Sequence, residues 1–297
     1  MKRKRSMMAV LALVFALGFA ACGAKETADT TGGADVVDDV VADTTDAAVT
    51  DTSTVVKVGV VGEIEGVQLW THIIEDLKAE GVDVELVQFD DYIIPNEALA
   101  NNEIDLNAFQ SYAYLEDQIN TYGYDFVSVG DTYISAMCIY SDKITDIKDI
   151  PQGAKIAIPN DPVNLGRALS VAQGAGLIKL DTPTGSTNEI ANISENTLEI
   201  TFEPVEASQI PTLLPDFDAG IINGNYAVDF NLDPKNDSIF YDDVSIYPDN
   251  RYVNHITARA ADKDNETYKK VVAAYQSEKT EAKYDELFQG SYIPAWK

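Results

Sequence analysis

Histidine and cysteine are almost missing from this chain of 297 residues, which holds two of each. His72 and His255 stand far apart, and neither has a ligand-like neighbour at metal spacing, so no zinc or other metal site is expected. Cys138 lies in the apolar stretch Ile134-Ser-Ala-Met-Cys-Ile-Tyr140 and reads as a small buried hydrophobe, not a reactive thiol. Positive charge is also scarce: 21 Lys and Arg face 49 Asp and Glu, for a net charge of −28. Such a chain lacks the basic footprint that nucleic acid requires, so no nucleic-acid partner is expected. It is also repelled by anionic membrane surfaces, which leaves lipid as the means of any membrane attachment. Enzyme signatures are missing too. There is no Gly-x-Ser-x-Gly elbow, no Cys–His pair and no phosphate loop. Carboxylates are so abundant that no chosen pair is informative. Neither catalysis nor a cofactor is therefore expected.

What is present begins at the N-terminus. Met1-Lys-Arg-Lys-Arg5 precedes an apolar run from Met7 to Ala21, which is too short to span a bilayer comfortably. A basic start, a short apolar segment and small residues before the cut mark residues 1–21 as a secretory signal. Phe19-Ala-Ala-Cys22 resembles the lipobox of bacterial lipoproteins, with Phe19 where Leu, Val or Ile is usual. The resemblance implies cleavage before Cys22 and a diacylglycerol on its thiol, which leaves Cys138 without a disulfide partner. The alternative is an ordinary secretory signal with an incidental cysteine. Residues 23–54 are rich in Thr, Asp, Ala, Gly and Val, with no helical or strand period. Such a composition builds no core, and like charges extend it. It reads as a tether with an r.m.s. span of roughly 30 Å.

The body starts at Val55. Val55-Val-Lys-Val-Gly-Val-Val61 reads as a buried strand, Val67–Leu77 as a helix stopped by Gly81, and Val82–Phe89 as an alternating strand. Pro95–Asn102, Ile104–Phe109, Tyr112–Tyr122 and Phe126–Ile134 continue the alternation of helix and strand. A second α/β unit follows, with strands at Lys155–Pro159, Leu198–Val205 and Asp218–Asn223 and helices at Asn164–Ala175 and Ser208–Leu214. A strand at Asn254–Arg259 and one long helix from Asn265 to Phe288 close the chain. The alternation predicts an α/β protein with largely parallel sheets. Two lobes are expected around a cleft, lobe 1 from residues 55–139 plus 247–297 and lobe 2 from 140–246. Ligands of such sheets bind at strand carboxyl ends and helix N-termini.

Four segments stand at strand-to-helix junctions. Three carry motifs: Tyr92-x-x-Pro-Asn-Glu-Ala-Leu99, Asp105-x-Asn-Ala-Phe-Gln110 and Asn160-Asp-Pro-x-Asn-Leu-Gly-Arg167; the fourth is Ala219–Ala227. With Glu206-Ala-x-Gln-x-Pro211, Gly176-Leu-Ile-Lys-Leu180 and Tyr252-Val-Asn254, this series resembles the methionine-binding lipoproteins of the MetQ/NlpA family. The resemblance covers nearly all of residues 55–297. It implies a two-lobed periplasmic-binding-protein-like (type II) fold and a monomer anchored by lipid outside the cytoplasm. The monomer would deliver methionine to an ABC importer permease with its ATPase.

On that reading Arg167, in the first turn after an Asp-Pro helix start, offers a forked donor to a ligand carboxylate. Asn164 and Asn223 can bond either head group, although both also suit helix caps or turns. Tyr92, Phe109 and Tyr114 line a thioether pocket unless they serve only as core. Trp70 reads as packing. Two positions depart from the family's pattern. Ser111 stands where histidine is common, and Gly224 follows Asn223 where threonine is usual. Ser111 leaves room in the pocket wall, which keeps a related amino acid or a methionine-containing dipeptide open as ligand. A surface adhesin using the tether for reach is the reading from a different class.

Overall fold

The computed structural model describes residues 55–183 and 187–297. The signal segment, Cys22 and the acidic tether lie outside the described residues. Among the described residues no helix is long and apolar enough to cross a membrane.

The first half runs β1 (Val55–Val61), α1 (Trp70–Ala79), β2 (Asp83–Phe89), α2 (Ile94–Ala100), β3 (Leu106–Ser111), α3 (Tyr112–Tyr122) and β4 (Phe126–Asp131). A crossing strand β5 (Tyr133–Ser135) leads to β6 (Cys138–Tyr140), β7 (Lys155–Pro159), α4 (Pro162–Gly174), β8 (Lys179–Leu180) and β9 (Ile193–Glu195). Then come β10 (Thr201–Val205), α5 (Ile210–Leu213), β11 (Ala219–Ile222), α6 (Gly224–Asp229) and β12 (Ser238–Phe240). The chain finishes with β13 (Asn254–Arg259), α7 (Glu266–Tyr275), α8 (Glu278–Phe288) and β14 (Tyr292–Pro294).

Two five-stranded sheets result, ordered β2-β1-β3-β13-β4 and β10-β7-β11-β6-β12. β1 sits inside the first because its Val56, Val58, Val60 and Val61 are all buried, as a strand covered on both faces requires. Each sheet is mixed, not largely parallel. β1 runs parallel to β2 and β3, but β13 enters antiparallel between β3 and β4. β7 runs parallel to β10 and β11, but β6 is antiparallel to β11 and β12. The antiparallel members are the first strand after the crossing and the strand that follows the chain's return. A chain entering from the other sheet is free of the crossover geometry that makes consecutive βαβ strands parallel. The expected lobe boundary at residue 139 falls within β6.

Two helical expectations also change. Gly62 is followed by one turn of π-helix, Ile64–Gln68, in which Gln68 and Leu69 donate to the carbonyls of Glu63 and Ile64 at 3.0 Å. The long terminal helix is two helices, because Gln276 leaves helical geometry and the Ser277 hydroxyl caps the second by accepting from the Thr280 N–H.

Three large apolar clusters organise the packing. One lies under the first sheet, where the Trp70 ring packs tilted against Tyr275 with centroids 5.3 Å apart, so Trp70 is core. Another lies under the second sheet with α4. The third draws from both: Phe109 lies in β3 and Tyr92 and Tyr114 follow strands of the first sheet, while Ile222 ends β11 of the second and Val163 and Tyr226 sit on its helices α4 and α6. Cys138 is fully buried in it, and burial pushes its thiol up to about 11, as an inert side chain requires.

Candidate functional site

The third cluster is not solid. It surrounds a cavity bordered by all seven residues that the motifs single out: Tyr92, Phe109, Ser111, Tyr114, Asn164, Arg167 and Asn223. The first sheet supplies an aromatic wall. Tyr92 and Phe109 stack with centroids 5.9 Å apart, and Tyr114 stands edge-on to each at 6.1 Å. The hydroxyls are tied to protein: Tyr92 donates to Asn225 Oδ1 at 2.6 Å and Tyr114 to the Tyr92 carbonyl at 3.0 Å. Burial raises both hydroxyls far above their ordinary value, so these residues offer neutral rings. Ser111 caps α3, its hydroxyl accepting from the Tyr114 N–H at 3.3 Å. The cap fixes the start of the helix that carries Tyr114.

The second sheet supplies a polar wall. Asp161 caps α4, accepting from the Asn164 N–H at 2.9 Å, and Pro162 takes the first helical position. Asn164 then donates from Nδ2 to Asp161 Oδ2 at 3.0 Å and accepts at Oδ1 from Asn223 Nδ2 at 2.9 Å. Asn223 precedes α6 without bonding the helix's own amides, so its side chain belongs to the cavity.

Arg167 sits in the second turn of α4, one turn deeper than the sequence suggests, and is 6 % exposed. Its Nη2 donates to the Ser135 carbonyl at 2.7 Å and pairs with Asp242 at 3.1 Å. The rings of Tyr247 and Tyr252 flank the guanidinium at 5.5 and 4.7 Å. Tyr247 also donates to Asp242 at 2.8 Å. Burial opposes the Arg167 charge, but Asp242 with the two tyrosines outweighs it, and the guanidinium is held above its ordinary value. The terminal fork is thus partly spent on protein. Its Nε is buried with no partner among the described residues, and the side chain borders the cavity. Asn223 Oδ1 is likewise buried and unpartnered. Unsatisfied buried polar atoms are costly, so a donor and an acceptor left this way on one wall point to a ligand.

Sequence reasoning missed several members of this site. Tyr133, Ser135, Asn225 and Asn254 border the cavity, and Asp242 and Tyr247 stand behind Arg167. Tyr252 and Asn254 appear in a quoted motif, but without a role. Asp242 lies in a stretch with no period, and nothing local marks it. No carboxylate borders the cavity, and the described residues hold no cluster suited to a metal ion.

The family model described as NlpA lipoprotein matches residues 56–296. The D-methionine-binding lipoprotein MetQ of Yersinia pestis is 40% identical over 245 residues, covering 81% of this chain and 88% of that protein. MetQ of Escherichia coli K12 is 40% identical over 218 residues, covering 73% and 79%. Among solved structures, a nutrient binding protein from Burkholderia cenocepacia bound to methionine matches with a TM-score of 0.76 at 40% identity, covering 81% of this chain and 99% of that one. The substrate binding protein of a methionine transporter from Streptococcus pneumoniae matches at 0.76 and 35% identity, covering 82% and 96%.

Proposed function

From membership of the NlpA lipoprotein family, to which this chain belongs, we propose that the protein captures methionine outside the cytoplasm and delivers it to an ABC importer. The observation that carries this reading is one cavity lined by Arg167 and Asn223, each with an unpartnered buried polar atom, and by three aromatic rings. A free amino acid presents a carboxylate, an ammonium and a side chain. Arg167 receives the carboxylate and Asn223 Oδ1 the ammonium. Tyr92, Phe109 and Tyr114 take the thioether, which packs favourably on ring faces and edges. Asn164 orders Asn223, and Ser111 orders Tyr114. No counter-ion awaits a charged side chain, so the site suits an apolar ligand tail.

The lobes, residues 55–139 with 247–297 and residues 140–246, close on the ligand as a monomer. Lipid on Cys22 holds the protein to the membrane, and residues 23–54 give it reach. A tether of this kind raises the local concentration of the binder at its importer without fixing an orientation. The methionine bound to the Burkholderia relative supports the ligand, and the pneumococcal relative, the substrate binding protein of a methionine transporter, supports the partner.

Calorimetry on the purified protein tests the reading with L-methionine, D-methionine and methionyl dipeptides. Binding of methionine is expected. Hydrogen bonds to charged groups contribute about 1.5–3 kcal/mol, so Arg167→Ala and Asn223→Ala should each weaken it roughly tenfold to hundredfold. No heat with any of these ligands at millimolar concentration overturns the ligand. Near-native affinity in both variants moves it out of this cavity.

A further inference from the structure

The aromatic wall of the cavity is buried, Tyr92 at 8 % exposed and Phe109 at 6 %, whereas Ser111, Asn164, Asn223 and Asn254 are half-buried. When two sheets part to admit a ligand between them, the bonds that bridge them break. Three such bridges come from one short helix, α6. Asn225 accepts from the Tyr92 hydroxyl at 2.6 Å, and Tyr226 donates to the Asp90 carbonyl at 3.2 Å. The third bridge lies away from the cavity. Asp229, the last residue of α6, accepts from the Glu63 N–H at 3.0 Å through Oδ2 and from the Ile64 N–H at 2.9 Å through Oδ1. Both donors belong to the turn that follows β1 in the other sheet.

That turn is shaped for the carboxylate. Gly62 adopts φ +85°, and a Cβ added there would stand 2.5 Å from Asp229 Oδ2. Only glycine takes this conformation without strain and leaves the space. The π-helical turn that follows begins at Ile64, so the same two amides that open it are the ones Asp229 satisfies. A carboxylate held by two N–H groups is a charge-assisted pair, stronger than either neutral bridge beside it.

We propose that Asp229 is a closure latch: a positioning residue that never touches ligand but sets how long the closed form holds it. The ligand named here rests on the methionine reading above, whereas the latch itself does not. Opening exchanges the two bonds for water, and a ligand bound only in the closed form gains whatever the latch contributes. Asp229→Asn keeps the size, removes the charge and turns one acceptor into a donor facing an N–H. Gly62→Ala keeps the charge and crowds the carboxylate out.

Stopped-flow measurements of methionine association and release, on the full chain, test the latch. Both variants should release ligand roughly tenfold to hundredfold faster, as expected for loss of two charge-assisted bonds. A purely structural role would instead lower the fraction of molecules able to bind and leave release from the remainder unchanged; that result overturns the proposal, as does wild-type release in Asp229→Asn. A second measurement needs no ligand. Spin labels at Lys78→Cys and Lys148→Cys, both exposed and one on each sheet's side, report the distance between lobes. Asp229→Asn should shift ligand-free protein toward longer distances, and an unchanged distribution overturns the latch. If wild-type protein ignores methionine while the distances still shift, the ligand reading fails and the latch stands.

Discussion

Asn164 and Asn223, 59 residues apart in sequence, share a hydrogen bond whose direction is fixed by a third residue. Asp161 can only accept as a carboxylate, so Asn164 turns Nδ2 toward it and Oδ1 toward Asn223. Asn223 must then present Nδ2 to Asn164, which leaves its own Oδ1 as an unpartnered acceptor on a residue that borders the cavity. A helix cap thus decides the polarity of a binding atom, and the polarity favours an ammonium over a second carboxylate.

If Asn164 acts mainly through Asn223, the two substitutions are not additive. Asn164→Ala alone should weaken methionine binding about tenfold, and the Asn164→Ala/Asn223→Ala pair should lose little beyond Asn223→Ala alone. A double-mutant cycle by calorimetry decides this. Fully additive losses would mean that each amide bonds the ligand independently.

The site was legible where function and local structure use the same residues. Asp161-Pro162 announces a helix start, and the polar residues of that helix, Asn164 and Arg167, lie near it. Tyr92, Phe109 and Tyr114 flank strand-to-helix junctions, where open α/β sheets place ligands. Their joint placement around one cavity is a tertiary fact. Asp242 and Tyr247 were illegible because the return segment before β13 has no period and takes its shape from what it covers. The antiparallel strands were missed for a related reason: β6 and β13 look like any buried strand, and their direction depends on where the chain comes from. The break at Gln276 was recoverable, since Ser277 followed by Glu278 is a helix-start signal inside an otherwise helical pattern.

Ser111 separates a cap from a contact. Its hydroxyl accepts from the Tyr114 N–H, so Ser111→Ala should cost about 1 kcal/mol of stability. Affinity for methionine should change by no more than roughly threefold, the loss expected when a ligand keeps its other partners. Thermal unfolding and calorimetry on the same preparation read both quantities. A large loss of affinity with unchanged stability would make Ser111 a direct ligand contact.

Gly166, beside Arg167, is required for a different reason from Gly62. A Cβ added there would stand 2.6 Å from the backbone nitrogen of Asn188 and 3.1 Å from its carbonyl oxygen. Backbone yields poorly. Alanine is the better helix former by about 1 kcal/mol, yet overpacking a filled interior costs about 1–3 kcal/mol. The clash therefore wins, and Gly166→Ala should lower the unfolding temperature. A rise would show that the segment around Asn188 moves aside freely.

Glu65 gives the clearest pH dependence. Its carboxyl is 4 % exposed and bonds hydroxyls, not a cation: Oε1 accepts from Tyr133 and Oε2 from Tyr292, the latter at 2.7 Å. Burial pushes it from 4.5 up to about 8; the two tyrosine bonds work against that rise, and the charge of Asp229 adds to it. The folded protein therefore keeps a proton that the unfolded chain gives up at much lower pH. Between those two values the folded form binds more protons, so stability falls as pH rises. The contribution is complete below the unfolded value and lost as pH passes through the folded one. Glu65→Gln keeps the shape and removes the titration. Wild type and variant should unfold at similar temperatures near about pH 5, and the variant should be more stable by on the order of a few kcal/mol near about pH 9. Melting curves for both proteins across that range supply the test. If the two lose stability in parallel, the carboxyl is ionised throughout, and the tyrosine hydroxyls hold it as an anion.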